Sequence, residues 1–299
     1  RVLFRSITMD FSSAAELLKI CQASGIPISQ AMIDRETLYL GADTVTTYSR
    51  MEHSYEIMKN AVHSAVTEDI RSIGGLIGGE AKKMDAYRTS TEKPLCGSVI
   101  SKAIGYAMGV LEVNASMGLI VAAPTAGSSG VIPGVFVALQ EEYGFTDDQM
   151  VRALFNAGAI GYLITRNATV AGAEGGCQAE VGAASAMAAS AAVELMGGTP
   201  EQCMSAAGTA ITNILGLVCD PIAGLVEAPC QKRNAMGASN AIVAAQITLA
   251  GVGNLLPLDE VIDVMYSVGR SIPFELRETA LGGVAGSPTG CRLSKQIFG

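Results

Sequence analysis

The feature of this sequence that most restricts its fold is its density of small residues. About a quarter of the 299 positions are Gly or Ala, Trp is absent, and only 16% of the residues are charged. Small side chains let helix backbones approach each other closely. Few charged residues are available to cover a large solvated surface. The sequence therefore predicts tightly packed helices, with either a large core or a surface that another protein covers.

Composition excludes several classes of protein. The chain is too apolar, at 49% hydrophobic residues, for intrinsic disorder. The apolar runs at 117–123 and 183–192 are shorter than the ~18–20 residues of a membrane-spanning helix, so no membrane partner is expected. A net charge of -8 without a basic patch argues against nucleic acid. Seven cysteines without a C-x-x-C pair favour the reducing cytoplasm over a disulfide framework or a zinc ribbon.

Helix signals recur along the whole chain. Ser13, Thr146 and Thr199 each stand three residues before a Glu or Gln, which is the capping-box pattern of a helix start. Patterns typical of strands are limited to two short candidates, 110–113 and 118–122. The expected fold class is therefore mostly all-α, with glycine-rich turns between the helices.

The chain divides into three predicted segments. Residues 1–8 precede the first Met and are expected to be a non-native or disordered start. Residues 9–93 are expected to form an N-terminal helical subdomain, and the Gly/Ala-rich residues 94–299 a catalytic core. The polar run 89–93, followed by Pro94, marks the boundary. One continuous domain is the alternative.

Three cysteines stand at turns or helix ends. Cys177 follows two glycines, Cys219 precedes Asp-Pro, and Cys230 follows a proline. Turns expose N–H groups that can hydrogen-bond thiolate or sulfide, and they allow distant segments to converge on one metal centre. Buried structural thiols are the alternative, because free Cys is among the most buried residue types.

A second feature is the segment 123–130, Ala-Pro-Thr-Ala-Gly-Ser-Ser-Gly. Its residues 125–130, here called the anion loop, precede a predicted helix. The N–H groups of such a loop can cradle an anion, and a carboxylate is the natural guest. No Walker lysine follows. A serine-rich turn without a ligand is the alternative.

Two glutamates flank the first of the three cysteines. Glu174 and Glu180 are six positions apart, so they do not share a helix face neatly. They therefore do not predict the paired carboxylates of a glycosidase.

Four motifs, in order along the chain, carry a family resemblance. Together they closely resemble the iron–sulfur-dependent L-serine dehydratases, of the alpha-chain type in which a separate beta chain completes the enzyme. The similarity extends from residue 9 to residue 299. The motifs are APTAGSSG at 123–130, AGAEGGCQAEV at 171–181, LVCDPIAG at 217–224 and PCQKRN at 229–234.

The resemblance implies a [4Fe–4S] cluster held by Cys177, Cys219 and Cys230. Its fourth iron has no permanent protein thiolate and faces the substrate. In single-chain relatives a cysteine at the extreme C-terminus occupies that iron when substrate is absent. The matching residue is Cys291, carried over as a further ligand although eight residues follow it. The implied architecture is a compact helical catalytic domain whose glycine-rich turns form the cluster site.

The implied reaction converts L-serine to pyruvate and ammonia, with the open iron acting as a Lewis acid on the leaving hydroxyl. The implied partners are L-serine and the beta subunit, within a higher oligomer. The catalytic base stays open among Ser128, Ser129, Lys102 and a beta-chain residue. The residues expected to bind substrate are Asn114, Thr125, Gly127, Ser128, Ser129 and Gly130.

Other functions remain as alternatives. A cysteine desulfidase-type lyase on the same frame differs from a serine dehydratase only in the leaving atom. A non-catalytic iron–sulfur subunit predicts four permanent thiolates, and an interaction protein without metal predicts buried free thiols. Pyridoxal phosphate is not expected, because none of the eight lysines lies in a Ser-x-Lys-x-Arg-type segment.

Overall fold

The computed structural model describes residues 9–299 and shows a helical chain, which confirms the all-α prediction. Residues 1–8 and the expectation about them lie outside the described residues. The helices are α1 (Ala14–Ser24), α2 (Ile28–Asp34), α3 (Thr44–Thr67), α4 (Glu80–Ser90), α5 (Gly97–Ala115), α6 (Val131–Tyr143), α7 (Asp147–Asn167), α8 (Gly172–Gly175), α9 (Cys177–Leu195), α10 (Pro200–Thr212), α11 (Cys230–Leu249), α12 (Leu258–Ser271) and α13 (Pro288–Phe298).

The three predicted helix starts are capped by side chains. The Ser13 hydroxyl accepts a hydrogen bond from the N–H of Glu16 at 3.1 Å and begins α1. Thr146 and Thr199 form complete capping boxes at α7 and α10. Each cap satisfies N–H groups that a helix start otherwise leaves without a partner.

The two segments with strand-like patterns are not strands. Residues 110–113 lie inside α5, and 118–122 have no regular structure. Within residues 9–299, strand-type pairing is limited to one bridge between Cys219 and Arg277. A short apolar run fits a buried helix as well as a strand, so the pattern alone could not distinguish them.

Helix α9 lies at the centre of the core. Every residue from Cys177 to Val193 is buried, and α6, α7, α10 and α11 pack around it. Glycines permit these contacts: a Cβ on Gly161 of α7 would lie 2.8 Å from Met187 Cε of α9. The expected close packing of small residues is therefore present.

The apolar core continues across residues 89–93, because α3 and α4 both pack against α5. The division into 9–93 and 94–299 stays a prediction about the chain. Among the described helices, none is both long enough and apolar enough to cross a bilayer.

Candidate active site

Cys177 is the first residue of α9, and its thiol is buried. The turn before it needs glycine, because Gly176 has a φ of 75° and a Cβ there would lie 2.8 Å from the carbonyl oxygen of Leu217. The N–H of Gln178 donates to that same carbonyl at 3.0 Å. The start of α9 is therefore fixed against the segment that leads to Cys219.

Cys219 lies between α10 and α11 and is also buried. Its N–H donates to the carbonyl of Leu276 at 2.8 Å, and its carbonyl accepts from the N–H of Glu278 at 2.6 Å. The Sγ atoms of Cys177 and Cys219 and a carboxylate oxygen of Glu180 all lie within 4.8 Å of one another. These three residues are here called the thiol–carboxylate group.

Cys230 begins α11 and is 6% exposed. Burial, together with the nearby charge of Cys177, raises the pKa of its thiol to about 12. Within residues 9–299, Cys230 is not part of the thiol–carboxylate group. The structure thus brings Cys177 and Cys219 together directly and places Cys230 within electrostatic range of Cys177.

The Cys177 thiol is set up to ionise. A hydrogen bond from the Cys219 thiol lowers the pKa of Cys177, and the Arg233 guanidinium lowers it further against the effect of burial. The same hydrogen bond raises the pKa of Cys219. Nη1 of Arg233 lies 2.7 Å from Oδ1 of Asp220 and donates to the Val218 carbonyl at 2.8 Å. The thiolate is the form that binds metal, so Cys177 is the best prepared ligand.

Glu180 lies one helical turn after Cys177 and is 8% exposed. Its Oε1 accepts a hydrogen bond from the Thr125 hydroxyl at 2.8 Å, and burial raises its pKa to about 7. A Cβ on Gly172 would lie 2.7 Å from Oε2, and one on Gly127 would lie 3.2 Å from Oε1. The backbone at Gly172 and at Gly127 can therefore lie close to the Glu180 carboxylate because neither residue has a side chain. The sequence analysis named Glu180 only as half of a rejected carboxylate pair, although a spacing of three places it on the same helix face as Cys177.

The anion loop forms a short 3₁₀ turn before α6. The side chains of Ser128 and Ser129 are fully buried, and within the described residues the Ser129 hydroxyl has no hydrogen-bond partner. The N–H groups of Ala126 and Gly127 likewise meet no protein acceptor in residues 9–299. Ala126 is exposed and Gly127 is half-buried, so water can reach their N–H groups. The Ser129 hydroxyl is buried, and a buried polar group without a partner is costly, so this hydroxyl favours a bound acceptor.

Asn234 ties the anion loop to α11. Its Nδ2 donates to the carbonyls of Gly127 at 2.8 Å and Cys230 at 3.0 Å, and its Oδ1 accepts from the N–H of Gly130 at 3.0 Å. The side chain is fully buried. The Asn234 side chain therefore fixes the loop relative to the helix start that carries the third cysteine.

Lys102 is not near the anion loop. Its Nζ lies 3.2 Å from Glu141 and 3.3 Å from Glu142, at the end of α6. The anion loop precedes the start of that helix, whose 13 residues extend about 20 Å. Lys102 therefore lies at the opposite end of α6 from the anion loop.

Two other residues singled out in the sequence, Cys291 and Asn114, are not members of the thiol–carboxylate group. Cys291 is exposed on α13, and its Sγ lies 3.8 Å from the carbonyl of Ala285. Asn114 is half-buried near the end of α5, and its side chain makes no hydrogen bond within residues 9–299. Cys291 is therefore not one of the ligand atoms brought together around the paired thiols.

The fold and site define a helical protein with a cysteine-based candidate metal site beside a loop rich in serine and glycine. The chain belongs to the serine dehydratase alpha chain family, whose sequence profile matches residues 23–285. This confirms the resemblance.

Individual relatives match over nearly the whole chain. The chain is 50% identical over 289 residues to the probable L-serine dehydratase, alpha chain, of Bacillus subtilis (strain 168), covering 97% of this chain and 96% of that one. It is 44% identical to the L-serine dehydratase, alpha chain, of Peptoniphilus asaccharolyticus, covering 96% and 98%. It is 39% identical to an L-serine dehydratase of Mycobacterium tuberculosis, covering 94% of this chain and 62% of the longer relative.

Proposed function

We propose that this chain is the alpha subunit of an iron–sulfur L-serine dehydratase, which converts L-serine to pyruvate and ammonia together with a beta chain. The observation that carries the proposal is the buried thiol–carboxylate group, Cys177, Glu180 and Cys219, in direct contact with the anion loop. Relatives named L-serine dehydratase, alpha chain, supply the reaction.

The donor set fits a [4Fe–4S] cluster. Cys177, Cys219 and Cys230 are soft sulfur ligands, which favour iron–sulfur clusters over oxygen-preferring ions. Cys230 lies outside the compact group and would supply the third thiolate. Cys291, by contrast, is exposed on α13. Three thiolates on four irons leave one iron open, and when bound the cluster supplies a Lewis acid for the substrate hydroxyl.

The anion loop is proposed to hold the substrate carboxylate. The free N–H groups of Ala126 and Gly127 and the unpartnered hydroxyl of Ser129 are the available donors. Asn234 fixes the loop against α11, so the carboxylate and the cysteines keep a constant separation. Lys102 is held at the far end of α6. The α-proton acceptor is therefore a loop hydroxyl, of Ser128 or Ser129, or a group of the beta chain.

A partner surface is expected near the loop. Ile73, Met117 and Leu119 are large apolar side chains that are at least 70% exposed, and 117–119 lead into the anion loop. Relatives named simply L-serine dehydratase extend well beyond the region that this chain matches. We propose that the additional region of those relatives does what the beta chain does for this protein. We also expect a higher oligomer. The seven free thiols support a cytoplasmic setting.

Anaerobic purification with and without the beta chain tests the proposal. The expected result is a brown, iron-containing protein that forms pyruvate from L-serine when both chains are present. A colourless protein with all seven thiols open to titration would contradict the cluster. A brown protein that is inactive on L-serine but releases sulfide from L-cysteine would identify the desulfidase alternative instead.

A further inference from the structure

We propose that Glu180 binds the α-ammonium group of the substrate and thereby selects amino acids over hydroxy acids. This inference rests on the proposed function, because it assigns a role within the same site. Sequence reasoning gave Glu180 no role, and the chemistry of water elimination does not require a carboxylate at this position. The assignment comes from its burial, its missing partner and its location.

The Glu180 carboxylate has no cation beside it. It is 8% exposed, its one hydrogen bond within the described residues comes from the Thr125 hydroxyl, and no Lys, Arg or His there lies within ion-pair distance. Arg233, a cation of the site, is directed to Asp220 and Cys177. An isolated carboxylate is costly to bury unless a positive group joins it. A ligand can provide that positive group.

The location of Glu180 suits the ammonium of an amino acid. One side of the carboxylate faces the anion loop, where Oε1 lies 3.2 Å from the position of a Gly127 Cβ. The other side faces the thiols of Cys177 and Cys219 within 4.8 Å. In L-serine the carboxylate and the ammonium share one carbon, and the hydroxyl is on the next. A substrate that spans from the loop to the cysteines therefore places its ammonium beside Glu180.

Other carboxylates near the cysteines are less suited to this role. Glu174 is exposed and accepts a hydrogen bond from Thr169 at 2.6 Å. Asp220 is paired with Arg233, and its Oδ2 accepts from the N–H of Val284 at 2.7 Å. Within residues 9–299, Glu180 is thus the buried carboxylate beside the cysteines that has no ion-pair partner.

The test compares ligands with and without an amino group. Glu180→Gln keeps the shape and removes the charge, and Glu174→Gln in the same motif is the matched control. For the anaerobic complex with the beta chain, L-serine and 3-hydroxypropionate are titrated calorimetrically, and KM and inhibition constants are measured in parallel. Glu180→Gln is expected to weaken the binding of L-serine by at least about 30-fold and the binding of 3-hydroxypropionate by less than about threefold. Glu174→Gln is expected to change neither ligand.

Equally weakened binding of both ligands would show that Glu180 only positions Thr125, and it would overturn the inference. Unchanged binding of L-serine would overturn it as well. Iron content is measured first, because Glu180 adjoins two cysteines. If Glu180→Gln loses iron, Glu180→Asp, which retains the charge on a shorter side chain, is titrated with the same two ligands, and the same selective loss is expected. A wild-type complex that binds L-serine without forming pyruvate would defeat the proposed function while leaving these titrations decisive.

Discussion

Removing the side chain of Asn234 tests how the anion loop is fixed to α11. Asn234→Ala deletes the hydrogen bonds to the carbonyls of Gly127 and Cys230 and leaves the N–H of Gly130 buried without an acceptor. A hydrogen bond contributes about 1 kcal/mol, and a buried unpaired N–H costs about 1–3 kcal/mol. With two hydrogen bonds lost and one N–H left unpaired, the free energy of unfolding should therefore fall by about 3–5 kcal/mol.

A matched control lies on the same helix. Asn240 also makes three hydrogen bonds: its Nδ2 donates to the Ser185 hydroxyl and the Ala210 carbonyl, and its Oδ1 accepts from Asn213. None of these partners belongs to the anion loop. Because Asn240 is half-buried and Asn213 is exposed, Asn240→Ala should lower the free energy of unfolding by less than Asn234→Ala and leave the site intact.

The assay combines denaturant unfolding with kinetics of the complex. Asn234→Ala should raise KM for L-serine at least about tenfold, which corresponds to a loss of about 1.4 kcal/mol in binding. Asn240→Ala should leave KM within about twofold of wild type. If the two variants changed KM equally, the effect would reflect general destabilisation, and the assignment of Asn234 as the link between loop and cysteine would be refuted.

Three further predictions follow from the site. Gly172→Ala should lower iron content, because its Cβ would lie 2.7 Å from Glu180 Oε2 and 3.1 Å from Cys219 Sγ. Gly158→Ala is the control, because its Cβ would have no atom within 4 Å. Equal iron content in the two variants would contradict this prediction. Cys291→Ala should retain full iron, since the thiol is exposed; loss of iron would make it a ligand. Lys102→Met should keep kcat within about twofold, because its ion pairs lie at the far end of α6, and a loss of 10²-fold or more would restore it as a candidate base.

Structural features that depend only on residues close together in the sequence, such as helix caps, could be predicted. The caps at Ser13, Thr146 and Thr199 could be read because a capping box involves residues three positions apart. The strand-like run at 110–113 was misread because a buried helix carries the same apolar pattern.

Contacts between distant segments could not be predicted from the sequence. Glu180 meets Thr125 across 55 positions, and Asn234 meets Gly130 across 104. Lys102 was considered as a base because of its chemistry, and the structure pairs it with two glutamates instead. The turn setting of Cys177 and Cys219 was visible in the sequence, but their approach to within 4.8 Å depends on how α9 packs against the segment before α11.

The central claim is that three cysteines hold an iron–sulfur cluster. The most direct measurement is the iron and acid-labile sulfide content of anaerobically purified single variants. Cys177→Ala, Cys219→Ala and Cys230→Ala should each lose the cluster, whereas Cys203→Ala, which removes a fully buried thiol within α10, should retain it. Full cluster content in any of the first three variants would contradict the account.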